Sequence, residues 1–378
     1  MDSDRHPSDV PAVPVQLRKG RGAVSNLAHR FMREQRSAFD DGWESAEMPA
    51  AEGEGEAADD HGAPAPATEI ILEDCKSAIS ANDSLDIPFD YSVNPYRGCE
   101  HGCIYCFARP THSYLGYSPG LDFETKIIAK RNIAAELARE LAAPRYRPSI
   151  INIGSATDCY QPVERELKLT RGVIEVLAEA GHPFSLITKS SGVERDLDYI
   201  GPLAARGLAA VYVTITTLDA RLARKLEPRA AAPQRRLRVI RTLAEAGVPV
   251  GVSVAPQIPF VTEDMEQVLA AAREAGAARA FYTVLRLPWE LAPLFQEWLQ
   301  AHFPDRAARV MARVRDMRGG KDYDASWGQR MHGSGIWAQL LDQRFTRACA
   351  RLGYDLDRTP LDFSQFRPRS QAGQGSLF

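Results

Sequence analysis

Three cysteines lie close together in a polar, glycine-containing stretch of the chain. Cys99, Cys103 and Cys106 follow the spacing C-x3-C-x2-C. Three thiolates on one short loop can bind three corners of a cubane, which leaves the fourth iron open to a further ligand. Gly98 and Gly102 allow the tight backbone turns that an adjacent inorganic core requires. The spacing therefore predicts a [4Fe–4S] cluster with one open iron.

Three other uses of these cysteines compete with a cluster. A structural zinc site needs four ligands, and His101 or His112 would complete that set. A disulfide with a spare thiol is the second alternative, although it is uncommon in a chain without an export signal. Three unrelated buried cysteines are the third. The motif directly follows the first strand of a predicted strand–helix series, and this position favours the cluster.

Apolar or β-branched runs alternate with longer Ala- and Leu-rich amphipathic stretches from residue 89 onward. Strands are predicted at 89–93, 150–153, 184–188, 211–215, 250–255 and 280–285. Helices are predicted at 129–142, 170–180, 234–246, 262–275 and 305–317. This alternation indicates parallel strands with right-handed crossovers. Six units are too few to close an eight-unit barrel, so the predicted fold class is α/β, a partial (β/α)6 TIM-type barrel.

The predicted barrel has other segments on both sides of it. Residues 1–68 are predicted to be a disordered basic arm and acidic linker, because their composition cannot bury enough apolar surface to fold. The barrel is assigned to 69–288, a helical extension to 289–360 and a flexible tail to 361–378. In barrels of this kind the chemistry lies at the carboxyl ends of the strands, which here carry small and polar residues. A non-catalytic module that only tethers a partner would not need small and polar residues at these strand ends.

The whole chain gives little indication of its partners. Its 378 residues carry a formal net charge of −3, so a nucleic acid would have to meet a local basic patch. The arginines of the predicted helix 305–317 and the loop 327–335 are candidates for phosphate or substrate contact, or else a solvated face and a connector. No apolar run suits a membrane span or a secretory signal, so a cytoplasmic location is expected.

The cysteine spacing, with the aromatic Tyr105 before the last cysteine, resembles the signature of the radical S-adenosylmethionine (radical SAM) superfamily. The resemblance spans about residues 89–285. It implies that the open iron binds S-adenosylmethionine (SAM) and that one electron releases a 5′-deoxyadenosyl radical, which abstracts hydrogen from a substrate. It also implies a one-electron donor such as a flavodoxin or a ferredoxin.

Residues 154–164 resemble the spore photoproduct lyase-related, DNA-repair-photolyase-like branch, which has a Ser/Thr–Asp pattern where many members carry Gly-Gly-Glu. Stretches 186–190, 227–229 and 246–259 support this resemblance. It implies a lyase-like enzyme acting on DNA. RNA, protein or a small metabolite are alternative substrates, and a non-catalytic iron–sulfur or zinc interaction module is the alternative from another class.

Several site roles are implied by position within this resemblance. The predicted cofactor-binding residues are Tyr105, Ser155, Asp158, Lys189 and Thr216. Ser155 and Asp158 would approach SAM, Lys189 would neutralise its carboxylate, and Thr216 would bond its ribose. Each has a structural alternative, such as a loop hydrogen bond, a turn cap or a solvated cation. The branch has a hydrogen-donating cysteine where this chain has Ser155. Cys159 is the candidate substitute, with an inert buried thiol as the alternative, and thymine-dimer reversal is in doubt.

The last five residues resemble the short peptide with which bacterial DNA-associated proteins bind the replication sliding clamp. Leu377 and Phe378 would enter an apolar groove, and Gln374 would make the orienting hydrogen bonds. The sliding clamp is therefore a predicted partner, and a chance match of a short apolar tail is the alternative.

Overall fold

A computed structural model describes residues 17–32, 67–357 and 359–367 of the protein. Ten strands occur in these ranges: β1 (Glu69–Glu73), β2 (Ile79–Ala81), β3 (Tyr91–Val93), β4 (Tyr96–Arg97), β5 (Lys126–Lys130), β6 (Ile151–Ile153), β7 (Phe184–Thr188), β8 (Ala209–Thr214), β9 (Val250–Gln257) and β10 (Arg279–Val284). The α-helices of the same ranges are α1 (Leu121–Thr125), α2 (Ile133–Leu141), α3 (Glu164–Leu167), α4 (Leu169–Ala180), α5 (Leu197–Ala205), α6 (Ala220–Leu226), α7 (Pro233–Glu245), α8 (Met265–Glu274), α9 (Leu291–His302), α10 (Pro304–Asp316) and α11 (Gly335–Leu352). Short 3-10 helices span Arg109–Leu115 and Ser191–Asp196.

Seven strands form the main sheet, in the order β10-β9-β8-β7-β6-β3-β2. Every neighbouring pair from β3 to β10 is parallel, and β2 joins the edge antiparallel to β3. Helices connect the parallel strands along the chain. The predicted α/β partial barrel of six strand–helix units is thereby confirmed.

The central strands explain why these segments pair in this way. β8 and β9 are buried along nearly their whole length, as expected for parallel strands covered on both faces. The apolar face of α4, including Val173, Ile174 and Leu177, packs into the same core. That burial fixes the strand register and brings the carboxyl ends of the strands to one edge.

A second, three-stranded sheet corrects the predicted helix 129–142. Residues 126–130 form β5, which pairs with β1 on one side and with β4 on the other, so the helix begins only at Ile133. The pairing of Tyr96 with Ala129 and of Arg97 with Ile128 places the end of β4 two residues before Cys99. This small sheet therefore sets the entry to the cysteine loop.

The predicted disorder of residues 1–68 is wrong for residues 17–32. Ala23 is fully buried, and the backbone N–H groups of Gly22 and Ala23 donate to the Glu124 carboxylate at 3.0 and 2.7 Å. Gly22 lies so near the cysteine loop that a Cβ there would be 1.8 Å from the Gly102 carbonyl oxygen. Residues 33–66, which hold most of the acidic linker, and the tail residues Gln374, Leu377 and Phe378 lie outside the described residues, so the clamp-binding peptide stays a prediction.

Helix α10 exposes Arg306 and Arg309 to solvent, and Arg313 is partly exposed. The guanidinium of Arg309 lies 4.0 Å from the centroid of the Phe260 ring, and that of Arg313 lies 4.5 Å from the Trp337 ring. These arginines therefore help to pack the helical extension. Within the part of the chain that the structure describes, no helix is both long and apolar enough to span a lipid bilayer.

Candidate functional site

The loop that carries the three cysteines leaves β4 and folds into two tight turns. The N–H of Gly102 donates to the Cys99 carbonyl and the N–H of Cys106 to the Cys103 carbonyl, both at 3.2 Å. Gly98 and Gly102 have φ values of 78° and 68°, which side chains with a Cβ rarely adopt. Cys99 and Cys103 are buried and Cys106 is partly exposed. The loop thus has an enclosed side and an open side.

Burial of Cys99 and Cys103 opposes the deprotonation of their thiols. Burial raises the pKa of Cys103 to about 12, although the nearby Lys189 acts to lower it. Burial, with Asp158 and the other two cysteines, raises the pKa of Cys99 well above its ordinary value. Deprotonation therefore requires a compensating positive charge, which bound iron supplies. A set of three thiols fits a cubane with one open iron, because each cysteine binds a different iron.

A structural zinc site would need four side chains that can all reach one ion. Among residues 17–32, 67–357 and 359–367, no three His, Cys, Asp or Glu side chains are near enough to share a single ion. His112 packs against the Phe123 ring at 5.5 Å between centroids, and burial lowers its pKa to about 4. Nδ1 of His101 lies 3.3 Å from the Asp158 carboxylate. Both candidate fourth ligands therefore have neighbours of their own.

A buried arginine holds the backbone of the cysteine loop in place. Arg109 is fully buried and donates to four main-chain carbonyls, those of Gly102 (2.9 Å), Cys103 (2.8 Å), Pro119 (3.1 Å) and Gly120 (2.9 Å). Its charge is balanced by Glu124, which is also fully buried and lies 2.5 Å away. Because Glu124 also binds the backbone of residues 22 and 23, this pair joins the N-terminal segment to the loop. Neither residue carries a recognisable local sequence signal.

Residues of the loop after β6 also form hydrogen bonds with the cysteine loop. The Thr157 hydroxyl donates to the Tyr96 carbonyl at 3.0 Å. The Gln161 amide accepts from the Glu100 N–H at 2.9 Å and donates to the Gly98 carbonyl at 3.2 Å. Gln161 is fully buried, so it bonds the loop backbone without competition from water. Its role, too, is not apparent from the sequence.

Two of the predicted cofactor-binding residues belong to one buried hydrogen-bond network. The Tyr105 and Thr216 hydroxyls lie 3.1 Å apart, and both bond the Glu227 carboxylate. Glu227 pairs in turn with Arg236, and both side chains are almost completely inaccessible. Burial alone would raise the pKa of Glu227, but the nearby Arg236 and Lys189 hold it below the ordinary value. Glu227 is therefore an ionised anchor, and the predicted bond of Thr216 to a ribose stays a prediction.

The Asp158 carboxylate is occupied by the protein itself. It accepts from the Thr188 hydroxyl and the Lys189 N–H, each at 2.7 Å, and from the Tyr160 N–H at 2.9 Å. Burial would raise its pKa, but His101 and these donors hold the pKa below the usual range. These contacts favour the turn-capping alternative for Asp158, and its approach to SAM stays a prediction.

Lys189 extends from the end of β7 toward the cysteine loop. Its ammonium lies 5.7 Å from the centroid of the Tyr105 ring. Burial alone would lower the pKa of Lys189. Three acidic neighbours outweigh that effect and raise it: Cys103, Glu227 and Asp158. The side chain therefore carries a positive charge beside the cysteines.

The side chains of Ser155 and Cys159 differ in their exposure to solvent. Ser155 is partly exposed, and its hydroxyl lies 3.4 Å from the Asn94 side-chain amide. Cys159 is completely buried within the main apolar core, and burial raises its pKa well above the ordinary value. These surroundings favour the inert-thiol alternative for Cys159.

Comparison with known proteins identifies the family. The model of the radical SAM superfamily matches residues 93–272. The uncharacterized protein Rv2578c of Mycobacterium tuberculosis is 38% identical over 239 residues, which cover 62% of this chain and 70% of that protein. The chain belongs to the radical SAM superfamily. Radical SAM enzymes use a [4Fe–4S] cluster and SAM and need a one-electron donor.

Other similarities extend to an archaeal relative and to solved structures. The uncharacterized protein MJ0683 of Methanocaldococcus jannaschii is 26% identical over 215 residues, covering 57% of this chain and 77% of that one. Spore photoproduct lyase complexed with dinucleoside spore photoproduct aligns with a TM-score of 0.52 and 16% identity, over 75% of this chain and 80% of that one. This radical SAM protein therefore shares the fold of that lyase.

Proposed function

We propose that this radical SAM protein holds a [4Fe–4S] cluster on Cys99, Cys103 and Cys106, cleaves SAM reductively, and abstracts hydrogen from a DNA substrate. The placement of the three-cysteine loop carries the proposal, since it lies at the carboxyl ends of six parallel strands beside the cationic Lys189. When bound, the cluster supplies the electron that converts SAM to methionine and a 5′-deoxyadenosyl radical. A flavodoxin or ferredoxin is the class of donor that suits this one-electron step.

The protein's own residues orient the cofactors and exclude water. Lys189 provides an ammonium for the SAM carboxylate, a role that suits a flexible point charge. The Ser155 hydroxyl is accessible for a hydrogen bond to SAM. Glu227 fixes the Tyr105 hydroxyl, and thereby the ring on which Lys189 lies. Apolar neighbours of Cys99, such as Phe123, keep the enclosed side of the loop dry.

DNA is the proposed substrate because two indications agree. The fold is that of a lyase whose structure holds a dinucleoside photoproduct, and the pattern of residues 154–164 resembles the same branch. Since Ser155 replaces the hydrogen-donating cysteine and Cys159 is buried, the proposal includes hydrogen abstraction but no thiol donor.

A deuterium-transfer experiment tests the proposed function. Anaerobically reconstituted protein, SAM and a one-electron reductant are expected to give 5′-deoxyadenosine and methionine. With a uniformly deuterated oligodeoxynucleotide, the 5′-deoxyadenosine is expected to gain deuterium, as measured by mass spectrometry. Absence of 5′-deoxyadenosine would contradict the proposed chemistry. Its formation without deuterium transfer would contradict DNA as the substrate.

Replacing Lys189 should separate SAM binding from cluster binding. Lys189→Ala removes a charged hydrogen-bond donor, so we expect about ten- to a hundredfold weaker SAM binding. Iron and sulfide content should not change, because Lys189 holds no iron. Equilibrium binding under anaerobic conditions measures the effect, and Lys76→Ala, at an exposed lysine, is the matched control. If Lys189→Ala binds SAM as tightly as the unmodified protein does, Lys189 does not contribute to SAM binding.

A further inference from the structure

An arginine without an acidic partner lies beside the cysteine loop. Arg286 follows the end of β10, and its guanidinium carbon is 4.8 Å from the centroid of the Phe107 ring, next to Cys106. Its Nη1 lies 3.6 Å from the Met331 sulfur, a weak acceptor. Its Nε is buried and makes no hydrogen bond. Within the described ranges, no carboxylate forms an ion pair with Arg286, so its charge is available to a ligand.

A second, deeper arginine lies near the first. Arg318 is only 2% exposed and donates to two main-chain carbonyls, those of Leu285 and Gln329, each at 2.8 Å. Its Nε is also buried without a partner. Burial and the charge of Arg286 lower the pKa of Arg318 to about 10, which still leaves it cationic at neutral pH. Two positive charges are thus placed together at the end of the sixth parallel strand.

The acidic groups nearby do not cancel this charge. Asp86 lies within electrostatic range of Arg286, but its two oxygens accept from Arg330 and from the Gly328 N–H, both at 2.6 Å. Asp324 lies within range of Arg318 and accepts from the Ser326 N–H at 2.9 Å. Asp86 is balanced by Arg330, and Asp324 is the other carboxylate within electrostatic range of this arginine pair.

We propose that Arg286, with the second cation Arg318 nearby, binds a phosphodiester group of the nucleic-acid substrate next to the open side of the cysteine loop. The inference rests on the proposed function, because it names how that substrate is held. A guanidinium fork matches phosphate oxygens. Phe107 is 43% exposed, and its ring offers a flat apolar surface on which a base can stack. An anion site beside a stacking surface is the combination that a nucleotide requires.

Binding of a single-stranded oligodeoxynucleotide tests this inference. Fluorescence anisotropy is measured anaerobically on the cluster-loaded, full-length protein without reductant, so that binding is separate from SAM cleavage. We expect Arg286→Gln to weaken binding about ten- to a hundredfold and to reduce the salt dependence by about one phosphate contact. Arg286→Lys should retain more of the affinity than Arg286→Gln. Arg139→Gln makes the same charge change on the exposed side of α2 and should have little effect.

A neutral backbone distinguishes phosphate recognition from general attraction. A neutral methylphosphonate is placed at each position of the oligonucleotide in turn. At one position it should weaken binding to the unmodified protein. At that same position it should not weaken the binding of the Arg286→Gln protein any further. Equal affinities of the unmodified and Arg286→Gln proteins would overturn the inference. Loss of the cluster in both Arg286 variants would do so as well, because the residue would then be structural. Oligonucleotide binding without 5′-deoxyadenosine formation would contradict the proposed chemistry and leave this inference standing.

Discussion

Cys103→Ala is expected to abolish 5′-deoxyadenosine formation, with activity at least a thousandfold lower and at the detection limit. The loop offers three thiolates, so removing one leaves an iron without its protein ligand, and the assembled cluster is lost or becomes labile. The surrounding burial adds to the effect, since it excludes water as a ready replacement ligand for this buried position. Iron and sulfide analysis with electron paramagnetic resonance measures the cluster content, and product quantification measures the loss of 5′-deoxyadenosine formation.

Two other cysteines provide controls for that experiment. Cys349 is a fully buried thiol in α11, and Cys159 is a fully buried thiol in the main core. Alanine at either position should cost some stability through a small cavity but leave cluster content and SAM cleavage unchanged. Unaltered SAM cleavage by Cys103→Ala would refute the ligand assignment. Stoichiometric zinc without sulfide in anaerobically isolated protein would refute the cluster.

The sequence predicts the main sheet well because each of its parallel strands is a short apolar run between polar or glycine-containing segments. The predicted strand 184–188 has the same bounds as β7. The sequence does not predict the strand β5, because only the polar residues 130–132, and no Gly or Pro, separate Ile127, Ile128 and Ala129 from the apolar positions of α2. Periodicity cannot divide such a run, and here the pairing of β5 with β1 and β4 decides the structure.

The site is only partly predictable for a similar reason. The cysteine spacing is local, so it can be recognised in the sequence. The groups that hold the loop are distant from one another along the chain: Gly22 and Glu124 are separated by 102 residues, and Glu100 and Gln161 by 61. A motif also cannot show which polar atoms the protein itself uses. Asp158 fits a cofactor-binding pattern, yet three donors of the protein occupy its carboxylate.

Arg109→Met is expected to destabilise the fold by about 3–5 kcal/mol, because it leaves the Glu124 carboxylate buried without its cation. It also removes the donors to four carbonyls around the cysteine loop. We expect Tm to fall by about 5 °C or more and the bound cluster to be lost faster in air. Thermal unfolding under anaerobic conditions and the decay of cluster absorbance after exposure to air measure these two effects.

A second substitution tests whether the buried charge causes this loss. Arg109→Met combined with Glu124→Gln replaces the unpaired carboxylate by a neutral amide, so the double variant should be more stable than the sum of the two single changes predicts. Arg131→Met breaks an ion pair with Asp74 in which the Arg131 side chain is 62% exposed and the Asp74 side chain is 54% exposed. This exposed pair contributes little to stability, so the substitution should hardly alter Tm. Strictly additive effects would mean that Arg109 acts only through its carbonyl bonds. A Tm for Arg109→Met equal to that of Arg131→Met would contradict both contributions, because solvent or backbone rearrangement would then replace everything that the buried guanidinium provides.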